Sequence, residues 1–217
     1  MNIILFGPPG AGKGTQADNI AKKFNLAKIS TGDLLRIEIK NNTELGIKIK
    51  STIDQGKFVS DEIINKLILQ ILTNKEEYFD KLIFDGYPRN INQAKNLDLM
   101  LKKNNQKIFF VLNLNVKKDI IIKRISGRVV CSNCGLTFNK YFNTPEKNNH
   151  KCNESYLNTR DDDNAKTAEN RFETYSKETL PILRYYKEQK LLREIDGTRE
   201  INQIYDEICS IITTLET

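Results

Sequence analysis

The sequence predicts an α/β protein, a parallel sheet flanked by helices and built around a phosphate-binding loop. Three observations lead there. Compact apolar runs alternate with longer amphipathic stretches, which suits parallel strands joined by helical crossovers. The first apolar run passes directly into GPPGAGKGT at Gly7 to Thr15. A polar, cysteine-bearing stretch at 127 to 163 then interrupts the rhythm and reads as an inserted small lobe.

In chain order, Asn2 to Phe6 is the first expected strand, followed by a helix over Gly14 to Phe24. Helices are expected at Asp33 to Lys40 and at Asp61 to Thr73, where Asp61 caps an apolar face of Ile63, Ile64, Leu67, Ile68 and Ile71. Leu82 to Phe84 and Ile108 to Leu114 are short β-type runs, with helical patterns at Ile91 to Asn105 and Lys117 to Ser126. Beyond the insert, one helix is expected across Ala165 to Glu188, a strand at Leu191 to Asp196 and a final helix at Glu200 to Leu215.

The 217 residues support a buried core. No apolar stretch approaches the roughly 20 residues of a membrane span, and the phosphate loop occupies the place of a signal peptide's apolar core. A cytoplasmic protein without membrane association is expected. The net charge of +6 forms no long basic block, so it does not by itself argue for nucleic acid. Arginine says more: only nine of the 34 basic residues are Arg. A chain that solvates itself with lysine places its few planar, bidentate guanidiniums where phosphate geometry rewards them.

Glycines at 7, 10, 12 and 14 allow the backbone to turn successive N–H groups toward an anion at a helix start, within reach of Lys13. The pattern G-x-x-x-x-G-K-[ST] is met except that Gly14 holds the Ser/Thr position and Thr15 follows it. Asp85-Gly86-Tyr87-Pro88-Arg89, with Gln93 beyond, follows a strand, where ligands of open α/β sheets gather. There Asp85 can hold a magnesium-bound water, Arg89 a phosphate, and Gln93 a base edge. Ser30 to Arg36 opens a helix bearing Thr31, Asp33 and Arg36. In the insert, Cys131, Cys134 and Cys152 resemble half of a zinc ribbon. The fourth position falls on Ser155, a poor ligand, with His150 and Glu154 close enough to substitute, so zinc and a metal-free knuckle both remain open. Cys209 reads as a core residue of the last helix.

Taken together, GPPGAGKGT, STGDLLR, DGYPR with Gln93, RISGR at Arg124 to Arg128, Arg160 with its DDD, Arg171, and DGT at Asp196 resemble the adenylate kinases. The similarity runs through essentially the whole chain, and the insert resembles the family's long-lid form. The resemblance implies a P-loop NTPase-like core at 1–29, 61–126 and 164–217, a helical monophosphate-binding lobe at 30–60, and a small β-rich lid at 127–163. It implies a reversible phosphoryl transfer from MgATP to AMP, giving two ADP, in a monomer with small nucleotides and no nucleic acid as partners.

By matching motif, Gly10, Ala11, Gly12, Lys13, Gly14 and Thr15 would cradle ATP, with Arg124, Arg128, Thr137, Phe138 and Arg199 on the same side. Thr31, Arg36, Lys57, Phe58, Val59, Gly86, Tyr87, Pro88, Arg89 and Gln93, together with Arg160 and Arg171, would form the AMP site. Arg160 and Arg171 would bridge the transferring group, so the catalytic set is Lys13, Arg89, Arg124, Arg128, Arg160 and Arg171. Asp33 and Asp85 would hold water on Mg²⁺, and Asp162 and Asp163 would orient lid arginines. A zinc in the lid would be structural. The attacking phosphate oxygen is already ionised, so no general base is required. A UMP/CMP or other monophosphate kinase is the alternative, though such enzymes typically carry a short lid.

Overall fold

The computed structural model describes residues 1–74, 79–148 and 150–216. The chain runs β1 (Asn2–Phe6), α1 (Lys13–Phe24), β2 (Ala27–Ser30), α2 (Thr31–Lys40), α3 (Glu44–Asp54), α4 (Asp61–Asn74), β3 (Leu82–Asp85), α5 (Ile91–Lys103) and β4 (Ile108–Asn115). It continues through α6 (Lys118–Ser126), β5 (Arg128–Cys131), β6 (Thr137–Asn139), β7 (Leu157–Asn158), α7 (Ala165–Thr174), α8 (Leu180–Glu188), β8 (Leu192–Asp196) and α9 (Ile201–Glu216).

Five strands form one parallel sheet in the order β2-β3-β1-β4-β8. Alternation along β1 sends Ile4 and Phe6 into one core with Leu82, Phe84 and Val111, under α4, α5 and α8. Ile3 and Leu5 enter a second core with Ile83, Phe110 and Leu112, under α1, α6 and α9. Burial on both faces is why these strands read as unbroken apolar runs. Each fully buried Ile or Leu contributes about 1.5–3 kcal/mol, so the sheet is the rigid part on which the loops at its carboxyl edge depend. In the insert, β6-β5-β7 form a small antiparallel sheet, with Val129 paired to Phe138 and Cys131 to Leu157.

Three elements differ from the sequence expectation. β2 was not anticipated because AKIS is only four residues, with Ile29 alone fully buried, at the sheet's edge. α3 went unread because it follows the polar turn Asn41-Asn42-Thr43; Thr43 caps it by accepting a bond from the Gly46 N–H. The expected single helix at 165 to 188 is split by a π-helical turn at Tyr175–Thr179, with Pro181 in the first turn of α8. Proline supplies no N–H and its ring clashes with the carbonyl four residues back, so an ordinary α ladder cannot run through that point.

The α2–α3 hairpin closes on Gly46. A Cβ there would sit 2.1 Å from the Glu38 carbonyl oxygen, backbone that cannot step aside. Gly46→Ala should therefore cost about 1–3 kcal/mol in urea unfolding, whereas Gly12, which also lacks a side chain, has open space around it. An unchanged midpoint for Gly46→Ala would contradict this packing.

Candidate functional site

The carboxyl ends of β1, β2 and β3 open onto a cavity of about 840 Å³ whose lining extends across to β5 and β6 of the insert. β1 ends at Phe6 and the chain turns at once into the phosphate loop. Gly10 (φ 82°) cannot carry a side chain, because a Cβ would lie 2.8 Å from Ile125 Cγ1. Gly12 (φ 95°) is the residue preceding α1, in a conformation that favours glycine. No side chain caps α1, whereas Ser30, Thr43, Asn90 and Asn164 cap α2, α3, α5 and α7. The first N–H groups of α1 are thus left for an anion.

Lys13 Nζ donates to the carbonyls of Gly7 (2.8 Å) and Pro8 (2.9 Å), which folds the ammonium back over the loop. Burial pushes its pKa down to about 8; Asp85 opposes that, while Arg89, Arg128 and Arg171 add to it. Burial in turn raises the Asp85 carboxyl, against the pull of Lys13, Lys28 and Arg89. Asp33 is pushed up by burial, but a 2.6 Å bond from Arg36, the Ser30 hydroxyl and the nearby Arg160 bring it below its usual value.

Seven of the nine arginines line the cavity: Arg36, Arg89, Arg124, Arg128, Arg160, Arg171 and Arg199. Each is aimed by a specific contact. Arg89 Nε and the Thr31 hydroxyl both donate to the Gly86 carbonyl, at 2.7 and 2.9 Å, and the Arg89 guanidinium lies 4.9 Å from the Phe58 ring centre. Arg124 donates to the Gly197 carbonyl at 2.8 Å and faces Phe142 at 5.9 Å. Arg128 Nε donates to Asp163 at 2.7 Å; Arg171 pairs with Asp162 and approaches Asp163 at 3.7 Å. Arg160 lies 3.8 Å from Asp33. Burial and mutual repulsion lower the Arg89, Arg160 and Arg171 values from the usual guanidinium range. Arg199 pairs with Glu207 at the rim.

Of the residues expected at the site, Gly10 to Thr15, Thr31, Asp33, Lys57 to Val59, Asp85, Gly86, Pro88, Gln93, Thr137 and Phe138 all border the same cavity. Tyr87 does not. It is buried in the core, its hydroxyl donating to Asn65 Oδ1 at 2.9 Å. Asp162 and Asp163 stand behind the arginines rather than on the lining. In the insert, the ligand atoms of Cys131, Cys134, His150 and Cys152 lie within 4.8 Å of one another, with Cys134 Sγ 3.5 Å from His150 Nε2. Tetrahedral zinc with bonds of about 2.0–2.3 Å needs such spacings, so the residues fit that ion with His150 as fourth ligand. Glu154 is outside this group, and Ser155 sits on a short 3₁₀ turn, its N–H bonded to Asn153.

The sequence reading missed Phe142, Lys28 and Asn139 as lining residues. It also missed a second role for Asp61, whose carboxylate receives the side-chain amides of both Asn90 and Gln93. Phe142 had a visible signal: an aromatic beside Tyr141 in a polar insert with too few apolar residues to bury it.

The adenylate kinase family profile matches residues 5–191. The chain belongs to the adenylate kinase family. Adenylate kinase of Pelagibacter ubique (strain HTCC1062) is 51% identical over 98% of this chain and 99% of its own. Those of Methanothrix thermoacetophila and Enterococcus faecalis are 44% and 43% identical, again over at least 98% of both chains. The chain is accordingly an adenylate kinase family enzyme that transfers a phosphoryl group between ATP and AMP, and the UMP/CMP kinase alternative is not favoured.

Asp163 has a side chain only 1% exposed and holds both Arg128 and Arg171. Asp163→Asn should destabilise the ligand-free protein by about 3 kcal/mol, because the two guanidiniums lose their shared counter-charge. If nucleotide phosphate reaches these guanidiniums, ATP should then raise Tm more in the variant than in the parent. Equal Tm values and equal ligand shifts in calorimetric scans would contradict that role.

Proposed function

We propose that the cavity holds both substrates at once, ATP on the Gly10 to Thr15 loop and AMP between α2, the Lys57 to Val59 segment and α5, so that the phosphoryl group crosses between Lys13 and the arginines. The observation that carries this reading is the convergence of Lys13 and seven arginines on one cavity in a lysine-rich chain.

The chemistry is positional and electrostatic. Loop N–H groups and Lys13 hold the donor phosphates. Arg36 and Arg89, anchored to Asp33 and Gly86, hold the acceptor phosphate in line. Arg124, Arg128, Arg160 and Arg171 stabilise the charge that spreads over the transferring oxygens. Asp33 and Asp85, both on the cavity lining, would hold water on a Mg²⁺ ion arriving with ATP, which would neutralise part of the donor charge. Gln93 and Thr31 border the acceptor base, and Arg124 with Phe142 offers flat surface on the donor side. Closure of the insert over the loop would exclude water, with 1–29, 61–126 and 164–217 as the core, 30–60 as the acceptor lobe and 127–163 as the lid.

The Cys131, Cys134, His150 and Cys152 group is read as a structural zinc site, bridging β5 to the segment that leads into β7. Zinc there would tie the insert together, with no part in the transfer. Four free cysteines fit the reducing cytoplasm. Among the described residues no helix is long and apolar enough to cross a membrane.

A coupled assay with MgATP and AMP, UMP, CMP or GMP tests the assignment, with metal analysis of the same sample. ADP should form selectively with AMP, and Lys13→Met should lose about 10²–10³-fold or more in kcat while keeping its fold. About one zinc per chain is expected, falling in His150→Ala without loss of kcat at low temperature. Near-normal turnover in folded Lys13→Met would overturn the catalytic assignment.

A further inference from the structure

Gln93 is 1% exposed, yet it borders the cavity. Its amide is held at both ends. Nε2 donates to Asp61 Oδ1 at 2.7 Å, and Oε1 accepts from the Arg89 N–H at 2.8 Å. Asp61 Oδ1 also receives Asn90 Nδ2 at 2.8 Å, while Asn90 Oδ1 caps α5 by accepting from the Gln93 N–H at 2.9 Å. A carboxylate only accepts, so both amides must turn nitrogen toward it. Asp61 itself is not among the residues lining the cavity.

An amide has two donor hydrogens and two acceptor lone pairs. With one of each committed, Gln93 keeps one donor and one acceptor in a fixed order. That order matters chemically. Adenine offers an acceptor at N1 beside a donor 6-amino group; a 6-oxo purine offers a donor N1–H beside an acceptor oxygen. A glutamine free to turn end for end would pair with either edge, whereas a held one pairs with a single edge and leaves the other base with donor facing donor.

We propose that Asp61 is a positioning residue for base selectivity: by holding the Gln93 amide in one orientation, it makes the acceptor site choose 6-amino over 6-oxo purine monophosphates. This rests on the acceptor site assigned above, in which Gln93 meets the base. The bond from the Arg89 N–H favours the same orientation but joins neutral groups. The bond to the carboxylate is charge-assisted and therefore the stronger constraint.

Asp61→Asn tests this, because the asparagine keeps the shape but can accept or donate and so tolerates either orientation of Gln93. The probes are AMP and IMP, which differ only at the purine 6-position and the adjoining N1 proton. In the parent, kcat/KM for AMP should far exceed that for IMP. In Asp61→Asn the AMP-to-IMP ratio should fall about tenfold, the lower end of what one hydrogen bond to a charged group provides, with KM for AMP raised and kcat held within a few-fold. Asn90→Ala, which removes the helix cap but leaves the Asp61–Gln93 bond, should lower Tm and keep the ratio. Should Asp61→Asn fail to fold, Asp61→Ser, smaller but able to accept or donate, takes its place. An unchanged ratio in the folded Asp61 variant would overturn the proposal, reducing Asp61 to a structural tie between α4 and α5. Gln93→Leu separates the two levels: if it too keeps the parent ratio, the acceptor-site assignment fails rather than the role of Asp61.

Discussion

Positive charge concentrated in one cavity is what the remaining structure has to accommodate. Lys13 and seven arginines share one lining, and the carboxylates that face them are few and themselves placed by the fold. Burial first, and repulsion among these cations second, lower the Lys13, Arg89, Arg160 and Arg171 values from their usual ranges. In the proposed function, nucleotide phosphate would supply the counter-charge. Under the proposed function, cations already held in place by the fold would stabilise the charge that spreads over a transferring phosphoryl group without further reorganisation.

The sheet makes this arrangement possible. β1 and β3, buried on both faces, and β2, paired along β3, fix where these strands end, and those ends deliver Gly7, Ser30 and Asp85 to one edge. Helices then orient the cations: α2 carries Asp33 and Arg36 together, α6 carries Arg124 into the Gly197 carbonyl, and α7 carries Arg171 to Asp162. The π turn after α7 lies where Thr179 donates to the Arg89 carbonyl at 2.8 Å, so the irregular helix also braces the Asp85 to Arg89 turn.

Residues whose chemistry is local to a motif were legible in the sequence. The loop at Gly7 to Thr15, the turn at Asp85 to Arg89 and the scarce arginines all declare a phosphate site through residue type and spacing, and the structure brings them to one cavity. Features set by tertiary contact were not legible. β2 is too short for a period, and its strand character comes from pairing with β3. Tyr87 sits inside a binding motif, but packing against Phe84 turns it into the core. Asp61 looks like a helix cap until Gln93, 32 positions away, is seen bonded to it. Likewise His150 joins Cys131, Cys134 and Cys152 through the folding of the insert, which spacing alone left open between three residues.

Proton uptake on ATP binding tests the central claim most directly. Burial pushes Lys13 down to about 8, so it should be partly deprotonated near that pH, and phosphate beside it should restore its ordinary charged state. Titration calorimetry near pH 8, in two buffers of different ionisation enthalpy, should show uptake of about half a proton per ATP bound, absent in Lys13→Met. No uptake by the parent protein, or the same uptake in both, would contradict a cationic cavity that phosphate completes.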